Sequence, residues 1–296
     1  MSLPPPAENQ AYCTVSALES GHLYVTNNLF INNPESDALE RFPSLSFLLQ
    51  HSSSNKRLLF DLGIRKDWRN APPKLLASIP PTFKVEVEQD VVESLAKGGL
   101  GPDDIDIVCL SHVHFDHCGH SPLFSKSQFV VGGETKKVIE AGLFPANAES
   151  VYPAEVVPTD GRTRYLGDDV HWVPLGPFPR AYDLYGDGSL YIIDAPGHLW
   201  GHVNILVRTS ADGGWIYLAG DTAHHWNLIH GTSGIACNHA GHAISHQDKE
   251  VAGQTIKRVG EVSKLPRVRV LLAHDKPWYE KNEGGDAFFP GSILSL

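Results

Sequence analysis

A chain of 296 residues with 42% hydrophobic content can bury a large core and is best read as one α/β unit rather than two small ones. Its formal charge of −10 excludes a surface built to neutralise phosphates, so nucleic acid is not an expected partner. Cys13, Cys109, Cys118 and Cys237 stand without paired spacing, which excludes a disulfide framework.

The opening run Ser2-Leu3-Pro4-Pro5-Pro6 carries no basic stretch followed by an apolar one, and no later segment approaches the length of a bilayer span. A soluble, cytoplasmic protein with no membrane partner is the expectation. Two apolar runs, residues 45–49 and 58–60, flank the turn-forming Ser52-Ser53-Ser54-Asn55 and predict a hairpin whose second strand ends at Asp61. Residues 86–99 follow helical spacing, and Gly98, Gly99 and Gly101 stop them before a short strand at 105–110. A strand at 128–131 and a helix at 134–141 come next. The stretch 140–185, rich in Pro, Gly and Asp, carries no clear period. Strands follow at 190–194, 202–208 and 215–219, then an amphipathic helix at 246–264 with Ala252, Ile256, Val259 and Val262 on one side, then a strand at 268–273.

Chemistry concentrates where these strands end. The strand at 105–110 delivers His112-Val113-His114-Phe115-Asp116-His117, three imidazoles and a carboxylate in six residues. At this chain's own His and Asp frequencies such a run arises by chance in roughly two per thousand sequences of this length, so it reads as a metal site. The later strands end in Asp194-Ala195-Pro196-Gly197-His198, Gly220-Asp221-Thr222 and Ala273-His274-Asp275. Each places a ligand-type side chain on a loop that a rigid scaffold holds. Cys118 is read as a reduced thiol packed behind the site, because nitrogen and oxygen donors are already in surplus.

In this order, His-x-His-x-Asp-His followed by His, Asp and His, the chain resembles the metallo-β-lactamase-fold hydrolases, with Asp61 at the family's early buried aspartate. The resemblance implies a four-layer αββα sandwich of two mixed β-sheets flanked by helices. A single domain over residues 1–296 is expected, with 140–185, including Trp172, Phe178 and Tyr182, as a lid or insertion. The resemblance further implies that His112, His114 and His198 hold one metal, that Asp116, His117 and His274 hold a second, and that Asp221 bridges them. Two Zn2+ are implied, with Mn2+ or Fe2+ suited to the same donors. Seven ligands leave open positions on both ions, which is the habit of catalytic rather than structural sites.

Two such ions sharing a water bring its pKa toward neutrality and supply hydroxide as nucleophile. Asp116 is placed to ligate and to accept the nucleophile's proton, while Asp61 orients ligands without touching metal. His202, in Gly-His-x-x-Gly-His, resembles the lactonase branch and is read as a supporting histidine. Homoserine-lactone lactonases carry a tyrosine where His224 stands, so His224 is expected to donate to a carbonyl or leaving group in its place. Phe115, Trp200, Trp226 and Trp278 stand beside four ligand loops and are expected to form an apolar mouth for a hydrophobic or aromatic small molecule.

The expected activity is opening of a small cyclic ester or amide, a lactone or lactam, fused rings such as benzoxazolinones included. Fungal detoxification enzymes of the superfamily look similar around His224-His225. A thioesterase resembling glyoxalase II is the alternative, and a metal-binding module without catalysis the next.

Overall fold

Short runs of apolar residues, mostly three to six long, make strands of nearly every segment that precedes a ligand loop. The computed structural model describes residues 2–296. Its strands and helices are β1 (Cys13–Leu18), β2 (His22–Thr26), β3 (Leu39–Pro43), β4 (Ser46–His51), β5 (Arg57–Phe60), α1 (Pro73–Ser78), β6 (Lys84–Glu86), α2 (Val91–Ala96), β7 (Ile107–Cys109), β8 (Gln128–Gly132), α3 (Thr135–Glu140), β9 (Thr163–Leu166), β10 (Val173–Leu175), β11 (Phe178–Asp183), β12 (Leu190–Asp194), β13 (Val203–Arg208), β14 (Trp215–Leu218), α4 (Trp226–His230), α5 (Lys249–Val262), β15 (Val268–Leu271) and α6 (Lys276–Asn282).

Two six-stranded mixed sheets form, β1-β4-β5-β7-β8-β9 and β10-β11-β12-β13-β14-β15. In the first, β5, β7, β8 and β9 run parallel; in the second only the β14–β15 pair does. Phe47, Leu49, Leu58 and Phe60 of one sheet meet Ile192, Ile205, Val207 and Leu218 of the other in a shared core. On the outer face of the first sheet, Val91 and Leu95 of α2 and Val138 of α3 cover Val108, Phe129 and Val131. Ala252, Ile256, Val259 and Val262 of α5 cover Tyr217 and Val270 on the outer face of the second. This is the αββα sandwich, and the apolar side of α5 is the one its periodicity predicts.

Where sequence and structure differ, local chemistry explains the difference. The helix expected over 86–99 is only α2, because Lys84 and Glu86 pair with β2 in a separate three-stranded sheet, β3-β2-β6. A capping box, Asp90 with Glu93, then starts the helix at Val91. The stretch 140–185 supplies β9, an edge of the first sheet, and β10 and β11, an edge of the second. Phe178 stacks on Tyr217 at 5.0 Å, and Trp172 packs edge-on against Tyr182. No helix among the described residues is long and apolar enough to cross a membrane.

Candidate metal centre

The loop after β7 carries the histidine run, and the residue after β5 holds it. Asp61 adopts φ +63°, a left-handed conformation costly for a non-glycine residue, and in it donates its backbone N–H to the Cys109 carbonyl at 3.0 Å. Its carboxylate, about 1% exposed, accepts from the Ser111 N–H at 2.6 Å and the Ser111 hydroxyl at 2.8 Å, and lies 2.9 Å from His117 Nδ1. Ser111 also accepts, through its carbonyl, the N–H of Val203 in β13. The run is thereby tied to both sheets.

One ligand group assembles from three imidazole nitrogens. His112 Nε2 is 2.9 Å from His114 Nδ1, and His198 Nε2 lies 3.1 Å and 3.0 Å from these two atoms. A second group joins Asp116, His117 and His274. His274 donates from Nδ1 to the Pro43 carbonyl at 2.7 Å, which leaves its Nε2 facing Asp116 at 3.5 Å. Asp221 stands between the groups: its Oδ2 is 3.4 Å from His198 Nε2 and 3.3 Å from His117 Nε2, and its Oδ1 is 3.3 Å from His274 Nε2. All seven residues expected as ligands therefore converge, with Asp61 behind them.

The electrostatics fit a cation. Burial opposes a charge on His117 and on His274, yet nearby carboxylates, Asp221 above all, overturn it and raise both proton affinities. Burial alone would raise the carboxyl pKa of Asp221; His117, His274 and His224 instead hold it well below the usual range. His112 and His198, dominated by burial, are pushed well down and stay neutral, as metal ligation requires. His117 Nε2 and Asp221 Oδ1 are buried without a hydrogen-bond partner. Orphaned polar atoms cost about 1–3 kcal/mol each, and a divalent cation among these donors satisfies both at once.

Around the ligands stand supporting groups. His202, fully buried, receives the Asp221 backbone N–H on Nε2 at 3.0 Å and reaches the Ala195 carbonyl with Nδ1 at 3.2 Å; burial pushes its pKa down to about 3. Cys118 is buried, its thiol pushed up to about 12 by burial, and joins neither ligand group. His224 Nε2 is 3.2 Å from Asp221 Oδ2, and its ring lies flat on Phe30 at 4.8 Å. His246, which the sequence pattern did not single out, gathers with His198 and His224 in a third group of potential ligands. The signal available in the sequence was thin: a lone His two residues before the Asp248 N-cap of α5.

These groups floor a cavity of about 350 Å³, onto which His114, Asp116, His198, Asp221, His224 and His274 face. Its walls are apolar: Leu23, Val25, Leu29 and Phe30 from β2 and the turn after it, Leu75 of α1 and Ile79 just past its end, Phe83 and Val85 at β6, with Phe115, Val151 and Tyr152 opposite. Among the described residues no Lys or Arg lines it. Of the four aromatics expected at the mouth, Phe115 alone is there. Trp200 is 40% exposed beneath the Lys137 ammonium, 3.8 Å from its ring. Trp226 turns its indole N–H to Asp275 at 2.9 Å, and Trp278 packs on Phe288. Trp200, Trp226 and Trp278 lie two, two and four residues after His198, His224 and His274, and none of them lines this cavity.

A family model described as the metallo-beta-lactamase superfamily matches residues 39–259. Gamma-lactamase MBL2 of Gibberella moniliformis is 37% identical over 178 residues, 57% of this chain and 71% of that protein. Gamma-lactamase FDB1 of Fusarium pseudograminearum is 35% identical over 195 residues, covering 62% of this chain but only 45% of its own length. Among solved structures, a variant of B. thuringiensis AiiA with N-decanoyl-L-homoserine bound at its active site has a TM-score of 0.71 at 18% identity, covering 99% of this chain and 100% of that one. That likeness is one of fold.

Proposed function

We propose, from the premise that this chain belongs to the metallo-β-lactamase superfamily, that it hydrolyses a small, uncharged cyclic ester or amide, a lactone or lactam, bearing an apolar or aromatic group. The observation that carries this reading is the juxtaposition of two ligand groups sharing Asp221 with an apolar cavity free of Lys and Arg. Two relatives named gamma-lactamases support a cyclic substrate, and a fold neighbour with N-decanoyl-L-homoserine bound at its active site is consistent with one. A thioester on an anionic carrier would require cations that these walls lack.

His112, His114 and His198 would hold one ion, Asp116, His117 and His274 a second, with Asp221 between; zinc suits the donors, as do Mn2+ and Fe2+. Bound ions would supply an activated water and an electrophile for the scissile carbonyl. The protein's own groups do the rest. Asp116, buried at the floor, accepts the nucleophile's proton. His224, steadied by Phe30 and by Asp221, donates a hydrogen bond from Nε2 to the leaving atom, which receives the proton that Asp116 took from the nucleophile. The apolar walls orient the substituent and exclude water.

The test is metal analysis joined to a panel of ester, lactone, lactam and thioester substrates. Two equivalents of metal with lactone or lactam turnover is the expected result; a dimetal protein that cleaves none of these bonds sinks the reading. His224→Ala is expected to lose more on an amide than on an activated ester, since only the amide needs help with its leaving group.

A further inference from the structure

His246 comes from a loop that the rest of the site fixes in place. Gln247 donates its N–H to the His198 carbonyl at 2.9 Å, and Asp248 donates to the Gly197 carbonyl at 3.0 Å before capping α5. The ring so placed is 5% exposed, 5.3 Å from the His198 ring and 5.1 Å from the His224 ring, centroid to centroid. Both of its nitrogens are buried and unpartnered, as are Nδ1 of His198 and Nδ1 of His224.

The proton inventory of these nitrogens is complementary. His198 points Nε2 into the His112–His114 pair as a ligand, so its proton sits on Nδ1, a donor. His224 points Nε2 at the Asp221 carboxylate, so its proton sits there and its Nδ1 is an acceptor. The neutral His246 imidazole, packed against both in a cluster whose rings are 5.0–5.3 Å apart, offers one acceptor and one donor, which matches both needs. Its ring is buried and no carboxylate reaches either nitrogen, so it is held as the neutral imidazole. No hydrogen bond joins the three rings directly, and the four buried nitrogens left over on them suit one shared water.

We propose that His246 is a positioning residue for His224: through a buried water held in common with His198, it occupies His224 Nδ1 and keeps the His224 proton on Nε2, the nitrogen beside the cavity floor. This rests on the role given above to His224. A cation held by the same three rings is disfavoured, because His198 would have to surrender the proton on Nδ1.

The test compares His246→Ala, His246→Gln, His224→Ala and the double alanine variant, each loaded with Zn2+, on an amide and an activated ester. His246→Ala is expected to lose about tenfold more on the amide than on the ester, to retain two zinc equivalents, and to add nothing to the loss in His224→Ala. His246→Gln, which keeps a donor and an acceptor, restores most of the amide activity and covers the case in which the alanine variant fails to fold. In ¹⁵N-histidine spectra the His224 proton rests on Nε2 in the wild type and in His246→Gln, and is shared between the ring nitrogens in His246→Ala. Additive losses, equal losses on both substrates, loss of a zinc ion, an unchanged tautomer, or a third zinc equivalent that His246→Ala abolishes would each overturn the proposal. If His224→Ala shows no amide-selective loss, the reading of His224 fails instead; if it does and His246→Ala behaves as wild type, only His246 is wrongly assigned.

Discussion

The Asp61 carboxylate and His117 Nδ1 meet at 2.9 Å with both side chains about 1% exposed, so the orientation of this imidazole is decided in a place solvent does not reach. Asp61→Asn keeps the shape but turns an acceptor into an amide donor facing His117. The ring must then carry its proton on Nε2, where a metal would bind. The variant is expected to bind its second ion about 10–100-fold more weakly while keeping the first. Metal content after graded chelation measures this, and wild-type chelator resistance would refute it.

Gly197 sits at φ +125°, and a Cβ there would lie 2.3 Å from the Ala252 backbone nitrogen in α5. Gly197→Ala must push the His198 loop off the helix, and with it the anchor of His246. A loss of about 3 kcal/mol or more, with depleted metal, is expected. A melting temperature within a degree or so of wild type would contradict the packing described here.

Phe83 is half-buried at the cavity wall, where the apolar group of the proposed substrate would lie. Phe83→Ala should raise KM about tenfold for ring substrates with a large apolar substituent, with kcat nearly unchanged, because about 1.4 kcal/mol of uniform binding is lost. Substrates without the substituent should be indifferent. A fall in kcat alone would place Phe83 elsewhere in the reaction.

His117 and His274 have raised proton affinities in the metal-free chain, so protonation there favours the folded state at low pH, and that contribution fades as pH rises through their folded values. Cations and protons compete for the same nitrogens. His202 and His246 carry the opposite sign: at about 3 in the folded state against 6.5 unfolded, each costs roughly 1.4 kcal/mol of stability by one pH unit below 6.5. The gap in Tm between metal-loaded and chelated protein should therefore narrow between about pH 7.5 and 5.5. An unchanged gap would show that the ions do not bind at these histidines.

The sandwich and the convergence of the seven expected side chains were largely legible because two signals coincide: a buried apolar run, then a His or Asp within a few residues of its end, as at Cys109–His112 and Leu271–His274. The cavity wall was not. Leu23 and Leu75 sit in elements of five and six residues and Phe83 just before the three-residue β6, all too short for a period to show. Trp200, Trp226 and Trp278 misled because proximity in sequence to a ligand says little about direction on a loop. His246 was silent for the converse reason: its partners His198 and His224 are distant in sequence, and only the docking of α5 brings them together.

The floor and the walls of the cavity come from separate stretches of chain. Residues 23–30 and 75–85 carry most of the apolar surface but none of the expected ligands, which hang from strand ends of the two large sheets. Mutation can thus remodel the outer wall while the ligand groups stay braced by Asp61, His202 and the sheets. On the proposed function, such a chain is free, over evolutionary time, to exchange one apolar ring for another as its target without reinventing how the bond is broken.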